Sequence, residues 1–84
     1  MNARKLLQKI AGKPHNTRFG ELQTLAEYFG FLLVRVNGSH HIYEHIATGE
    51  RINLQNVKGK AKPYQIRQLI KLIEQDNIPP EGDR

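Results

Sequence analysis

Histidine is the residue type in this chain best suited to chemistry, and three of its four histidines, His40, His41 and His45, fall within one short stretch. An imidazole accepts and donates protons near neutral pH because its unperturbed pKa lies there. Asn37-Gly38 precedes the pair, between β-branched residues, and Asn-Gly is a strong hairpin signal because both positions tolerate positive φ. Alternation along a strand sends His40 and His41 to opposite faces. A two-residue type I′ loop at Asn37-Gly38 is expected to pair Val36 with Ser39, Arg35 with His40 and Val34 with His41. His41, Tyr43 and His45 then share a helix-covered face with Leu32, Val34 and Val36, and His40 stands beside Arg35 on the open face. A three-residue loop would reverse these faces. His40 is thus the candidate for acid–base work, and His41 the candidate for a core-edge histidine held by a hydrogen bond.

Other chemistries fit less well. The chain has no cysteine, which excludes disulfides and thiolate zinc sites. Of His40, His41 and His45, only the last two share a side, and no Asp or Glu completes a ligand set, so no metal and no cofactor are expected. Ser39 beside a histidine lacks an acid to orient a triad. Lys58-Gly59-Lys60-Ala61-Lys62 lacks Walker spacing. It reads either as a solvated loop or as a flexible phosphate clamp leading to the N-terminus of the last helix. Residues 35–71 hold Arg35, Arg51, Lys58, Lys60, Lys62, Arg67 and Lys71 against Glu44 and Glu50, within a formal charge of +5. That balance suits a polyanion such as RNA or DNA, and also suits a merely soluble surface.

The elements that position these residues follow from periodicity. Ala3, Leu6, Leu7 and Ile10 mark a short amphipathic helix ended by Gly12. Phe19, Leu22, Leu25, Ala26 and Phe29 mark a second, stopped by Gly30. Its N-cap is open between Thr17, the better capping type, and Arg18, from which Glu21 sits at capping-box spacing. Residues 31–36 and 40–46 read as strands, and a Thr48-Gly49 turn leads to a third strand around residues 51–54. Residues 55–62 read as a polar, basic loop. Pro63 opens a last helix with Ile66, Leu69, Ile70 and Ile73 on one face and Gln65, Arg67, Gln68 and Lys71 on wetter sides. Asn77-Ile78-Pro79-Pro80 ends it.

Eighty-four residues with 38% hydrophobic and 25% charged side chains allow one globular α+β domain. The order is α-α-β-β-β-α, with a three-stranded antiparallel sheet covered by helices on one face. No apolar run approaches the ~20 residues of a membrane span, and the N-terminus lacks the apolar core of a signal peptide, so a cytoplasmic protein with no membrane partner is expected.

Gly38-Ser39-His40-His41-Ile42-Tyr43, preceded by Gly30-Phe31 and Leu33-Val34-Arg35, resembles the signature of the HicA family of toxins, the YcfA-like group. Asn53 and the segment from Lys58 through Pro63-Tyr64-Gln65 to Leu69 resemble a longer HicA-like subgroup, and the likeness runs over residues 19–77. The resemblance implies a double-stranded-RNA-binding-domain (dsRBD)-like fold. In this sequence it gives a single domain over residues 1–84, with 1–12 an extra N-terminal helix, 19–77 the core and 78–84 a flexible tail. It further implies a metal-independent endoribonuclease that cleaves single-stranded or structured mRNA to block translation, neutralised by a HicB-like antitoxin. The histidine after Gly-Ser carries over to His40 as the catalytic residue. His41, a lysine or water remains open as the second proton-transfer group. Arg35, Gly38, Ser39, Lys58, Lys60 and Lys62 are the expected RNA contacts. The chain departs from compact members in its extra helix and in a third strand, Ile52-Asn53-Leu54-Gln55, that lacks a Val-Pro-His ending. A non-catalytic RNA-binding module of dsRBD-like fold is the alternative. The sequence leaves open whether the first helix docks on the domain or on a partner.

Overall fold

The computed structural model describes residues 2–80. Asn2 starts the first helix, its Oδ1 accepting from the Lys5 N–H at 2.9 Å. Helix α1 spans Ala3–Gly12 and buries Ala3, Leu6 and Ile10. Those residues belong to the same core as the rest of the chain, so α1 docks on its own domain. A 3-10 turn at Pro14–Asn16 leads to α2, Phe19–Tyr28. Arg18 is its N-cap residue, but a guanidinium has no acceptor. Only the Glu21 half of the capping box therefore forms. Glu21 Oε1 accepts from the Arg18 N–H at 3.0 Å, and Oε2 accepts from Lys9 Nζ at 2.9 Å, tying α2 to α1. The Lys9 hydrogen bond, then the Arg18 N–H, hold the Glu21 carboxyl below its usual range. Gly30, at φ +85°, turns the chain out of α2.

The sheet is antiparallel, in the order β1 (Phe31–Asn37), β2 (His40–His45), β3 (Arg51–Val57), β4 (Lys60–Ala61). The α+β class and the three expected strands form, and a short fourth strand is added. Lys58 and Gly59 have φ of 53° and 82°, the pair of positive values a type I′ turn needs. The expected loop over 55–62 is thus a hairpin: β3 runs on to Val57, and Asn56 Oδ1 accepts from the Gly59 N–H at 2.7 Å. Its edge is covered by the approach to α2, where Ala61 N–H donates to Thr17 C=O at 3.1 Å and Phe19 N–H to Gly59 C=O at 2.9 Å.

Pro63 opens α3, Pro63–Gln75. Asn77, at φ +50°, ends it, and the Ile78 N–H reaches back to Ile73 C=O at 2.9 Å as in a Schellman motif. Ile78, the start of the expected tail, is itself buried; residues 81–84 of that tail lie outside the described residues. Phe31, Tyr43, Ile52 and Leu54 face the helices and meet Leu22, Leu25, Ile66 and Leu69 in one core. Tyr43 is fully buried, its hydroxyl accepts from Gln23 Nε2 at 3.0 Å, and burial pushes its pKa up. No described helix is long and apolar enough to cross a membrane.

Gln65 departs from its expected place on the wetter side of α3. It is buried, with Oε1 accepting from the Gln55 N–H at 2.7 Å and Nε2 donating to Asn53 C=O at 3.1 Å. β4 is too short to reach this part of β3, and one carboxamide supplies the donor and acceptor a longer strand would have given. Gln65→Leu leaves both backbone groups unpaired and is expected to cost about 2–4 kcal/mol in urea unfolding. Gln68→Leu, on the exposed side of the same helix, is expected to stay within about 0.5 kcal/mol of wild type.

Candidate functional site

The hairpin that carries the histidines closes one residue later than expected. Asn37 pairs with His40, Val36 with His41 and Arg35 with Ile42, so the two-residue loop is Gly38-Ser39. Gly38 has φ +60°, and neither Asn37 nor Ser39 is in the positive region. Glycine at the first loop position is the pattern of a type II′ turn, and the type I′ loop expected at Asn37-Gly38 does not form. For His40, His41 and Ile42 the β1 partner moves by two, an even number, and the facing near the turn survives: His40 shares the open face with Asn37 and Arg35, and His41 points inward.

Further along β1 the facing reverses. A β-bulge at Val34 puts Leu33 opposite Tyr43, Leu32 opposite Glu44 and Phe31 opposite His45. The extra residue swaps the faces. Phe31, expected on the open side, is fully buried, whereas Leu32, Val34 and Val36, expected under the helices, are about half exposed. β1 is an edge strand, and the helical layer does not extend over its outer residues.

The three histidines have three different settings. His40 is exposed, and its Nδ1 lies 3.2 Å from Asn53 Oδ1. A side-chain carbonyl oxygen only accepts, so the His40 proton in this contact sits on Nδ1 and Nε2 is left for solvent or a ligand. His41 is half-buried, donating from Nδ1 to Ser39 C=O at 3.2 Å, its ring tilted against Phe19 with centroids 4.8 Å apart. His45 is buried, its Nδ1 accepting from the Ala47 and Thr48 N–H groups, both at 3.1 Å, and its ring meets the edge of Phe31. It holds the turn after β2 closed. Among the described residues no three His, Cys, Asp or Glu side chains are grouped to hold a metal.

Ser39 is tied into the scaffold. Its carbonyl also accepts from the Asn56 N–H at 2.8 Å, and its hydroxyl accepts from Gln55 Nε2 at 3.4 Å. Gln55 sits opposite His40 in the β2–β3 register, so Asn37, His40 and Gln55 form one row across the open face.

The cations collect around that row. Arg35 lies two pairs along β1 from Asn37, on the same face. Lys60 pairs with Val57 and projects to the open face, while Ala61 next to it is buried. Alternation returns the extended Lys62 toward the open side, its Nζ 5.7 Å from the Tyr64 ring centroid. Lys58 occupies the tip of the β3–β4 turn. Arg18, which sequence reasoning missed, forms an antiparallel bridge with Lys60. That bridge sets two cations side by side; like charges directly opposite one another oppose folding. Among the described residues Glu44 is the one acid at a strand position of this face, and Arg51 already neutralises it at 2.7 Å. An apolar groove of about 290 Å³ lined by Ala11, Pro14, Ile66 and Ile70 lies in the helical layer and contains none of these residues.

A family model described as HicA toxin of bacterial toxin-antitoxin systems matches residues 19–75, more than half of the chain. The chain belongs to the HicA toxin family. No curated protein and no solved structure matches it. The matched region runs from the start of α2 to the end of α3 and leaves out α1. Membership of a toxin–antitoxin family implies an antitoxin as partner. In this HicA chain the Gly-Ser-His-His run forms the loop and first residues of β2.

The Arg18–Lys60 bridge gives a direct test of the electrostatics. Lys60→Glu converts a like-charge pair into an opposite one, and is expected to raise stability by about 0.5 kcal/mol at low salt. The gain should fade as salt is added, as read by thermal unfolding across an ionic-strength series.

Proposed function

We propose that this HicA toxin is a metal-independent endoribonuclease that cleaves mRNA, with His40 as its general acid–base residue. The observation that carries the proposal is the setting of His40: it alone of the hairpin histidines is exposed, and it has Nδ1 occupied and Nε2 free. His41 is engaged with Ser39 and Phe19, and His45 is closed off in the core.

The chemistry follows from that nitrogen. Nε2 takes the proton of a ribose 2′-hydroxyl, and the 2′-oxygen attacks the adjacent phosphorus. The bond to the 5′-oxygen breaks, and that oxygen leaves with a proton from a second donor, for which a lysine and water are the candidates on this face; His41, the third candidate, points to the other side of the sheet. The products are a 2′,3′-cyclic phosphate and a 5′-hydroxyl. Arg35, Lys58, Lys60 and Lys62 hold the phosphates and offset the negative charge that builds on the transition state. The Gly38-Ser39 turn brings backbone close to the strand being cut. One acid–base residue contributes about 10²–10⁴-fold, which suits a slow nuclease. A HicB-like antitoxin would silence it by covering the open face. Action on mRNA would place the protein in the cytoplasm.

The test is incubation of purified protein with end-labelled RNA in EDTA. Wild type is expected to yield cyclic-phosphate ends, and His40→Ala to lose at least about 100-fold in rate with an unchanged melting temperature. A His40→Ala protein that cuts as fast as wild type removes the assignment. RNA that wild type binds but never cuts would point to the non-catalytic module. Lys60→Glu is expected to weaken RNA binding and reduce its salt dependence by about one to two charges.

A further inference from the structure

We infer that Asn53 is a positioning residue that sets the tautomer of His40. This rests on His40 as the proton acceptor. Asn53 faces the open side of β3, diagonal to His40, because Ile42 pairs with Asn53 and His40 with Gln55. Its Oδ1 lies 3.2 Å from His40 Nδ1. In an unrestrained imidazole the proton prefers Nε2, and an Nε2–H cannot take a proton from a 2′-hydroxyl. An acceptor at Nδ1 reverses that preference and turns the Nε2 lone pair outward.

The fold holds Asn53 where this requires. The buried Gln65 takes Asn53 C=O at 3.1 Å and the Gln55 N–H at 2.7 Å, fixing the backbone on both sides of Leu54. Leu54 is fully buried beneath them. With the backbone pinned and its neighbour inside, the Asn53 side chain is fixed on the His40 face.

The residue type also fits the ligand. A carboxylate would hold Nδ1–H more strongly, as in a serine-protease triad, but would place a negative charge on a face that has to accept phosphates. A carboxamide fixes the tautomer and leaves the field of Arg35, Lys60 and Arg18 intact.

The experiment measures the imidazole nitrogens of His40 by ¹⁵N correlation spectroscopy at a pH where the ring is neutral, in the full chain without RNA. Wild type, Asn53→Leu and Asn53→Asp are compared, followed by cleavage kinetics on the same proteins. Wild type is expected to carry the proton on Nδ1. Asn53→Leu, close in shape and without an acceptor, shifts it mainly to Nε2 and lowers kcat about tenfold with KM nearly unchanged. Asn53→Asp restores the Nδ1 proton and recovers kcat, with a raised KM from charge repulsion. A wild-type His40 protonated on Nε2 overturns the inference, as does an Asn53→Leu protein that keeps both the Nδ1 proton and full kcat. Should Asn53→Leu fail to fold, the wild-type and Asn53→Asp spectra decide. The tautomer is read without catalysis, so it judges Asn53 even where His40→Ala leaves cleavage intact.

Discussion

Tyr43 fixes which side of the sheet is which. It is fully buried at the middle of β2, with its hydroxyl satisfied by Gln23, so it cannot turn outward without exposing a large ring and breaking that bond. Strand alternation then leaves no freedom: His41 and His45 go in with Tyr43, and His40, Ile42 and Glu44 go out. β2 pairs with β1 on one edge and β3 on the other, and this choice propagates across the sheet. Phe31 joins the core opposite His45, Ile52 opposite Tyr43, and Asn53 comes out beside His40.

The same constraint explains how much of the site could be read from residues alone. The outward facing of His40 survived a misplaced turn because moving the loop from Asn37-Gly38 to Gly38-Ser39 shifts the pairing by two residues. The inward and outward residues at the start of β1 did not survive, because the bulge at Val34 shifts the pairing by one and nothing in Leu32-Leu33-Val34 marks it. The type I′ turn lies instead at Lys58-Gly59, where a lysine at φ 53° has no sequence signal beyond the glycine after it. β4 is two residues long, below the length at which alternation can be seen. Helices α1, α2 and α3 were legible because their apolar spacing is regular and their ends carry Gly12, Gly30, Pro63 and Asn77. The hydrogen bonds that Gln65 and Asn53 make were not legible, since a partnered carboxamide looks like any surface amide until its partners are known.

The energetics of the open face point the same way as its chemistry. Arg18 and Lys60 sit opposite each other, the nearby Glu21 carboxylate being taken up by Lys9 and the Arg18 N–H, and Arg35 and Lys62 add to the same field. A fold selected for stability alone would place opposite charges there. Repulsion of this kind is relieved when a polyanion binds, which is what the proposed action on RNA would supply. The helical layer is built differently: α1 is packed into the core, and Lys9 is matched by Glu21.

The proposed RNA contact is tested most directly by a backbone amide NMR titration of the full chain with an oligonucleotide carrying 2′-deoxy sugars, which lacks the attacking hydroxyl. Shifts concentrated at Arg35, His40, Asn53, Gln55 and Lys60, falling off as salt is raised, are the expected result. Shifts confined to the groove of Ala11, Ile66 and Ile70, with the open face silent, would contradict it.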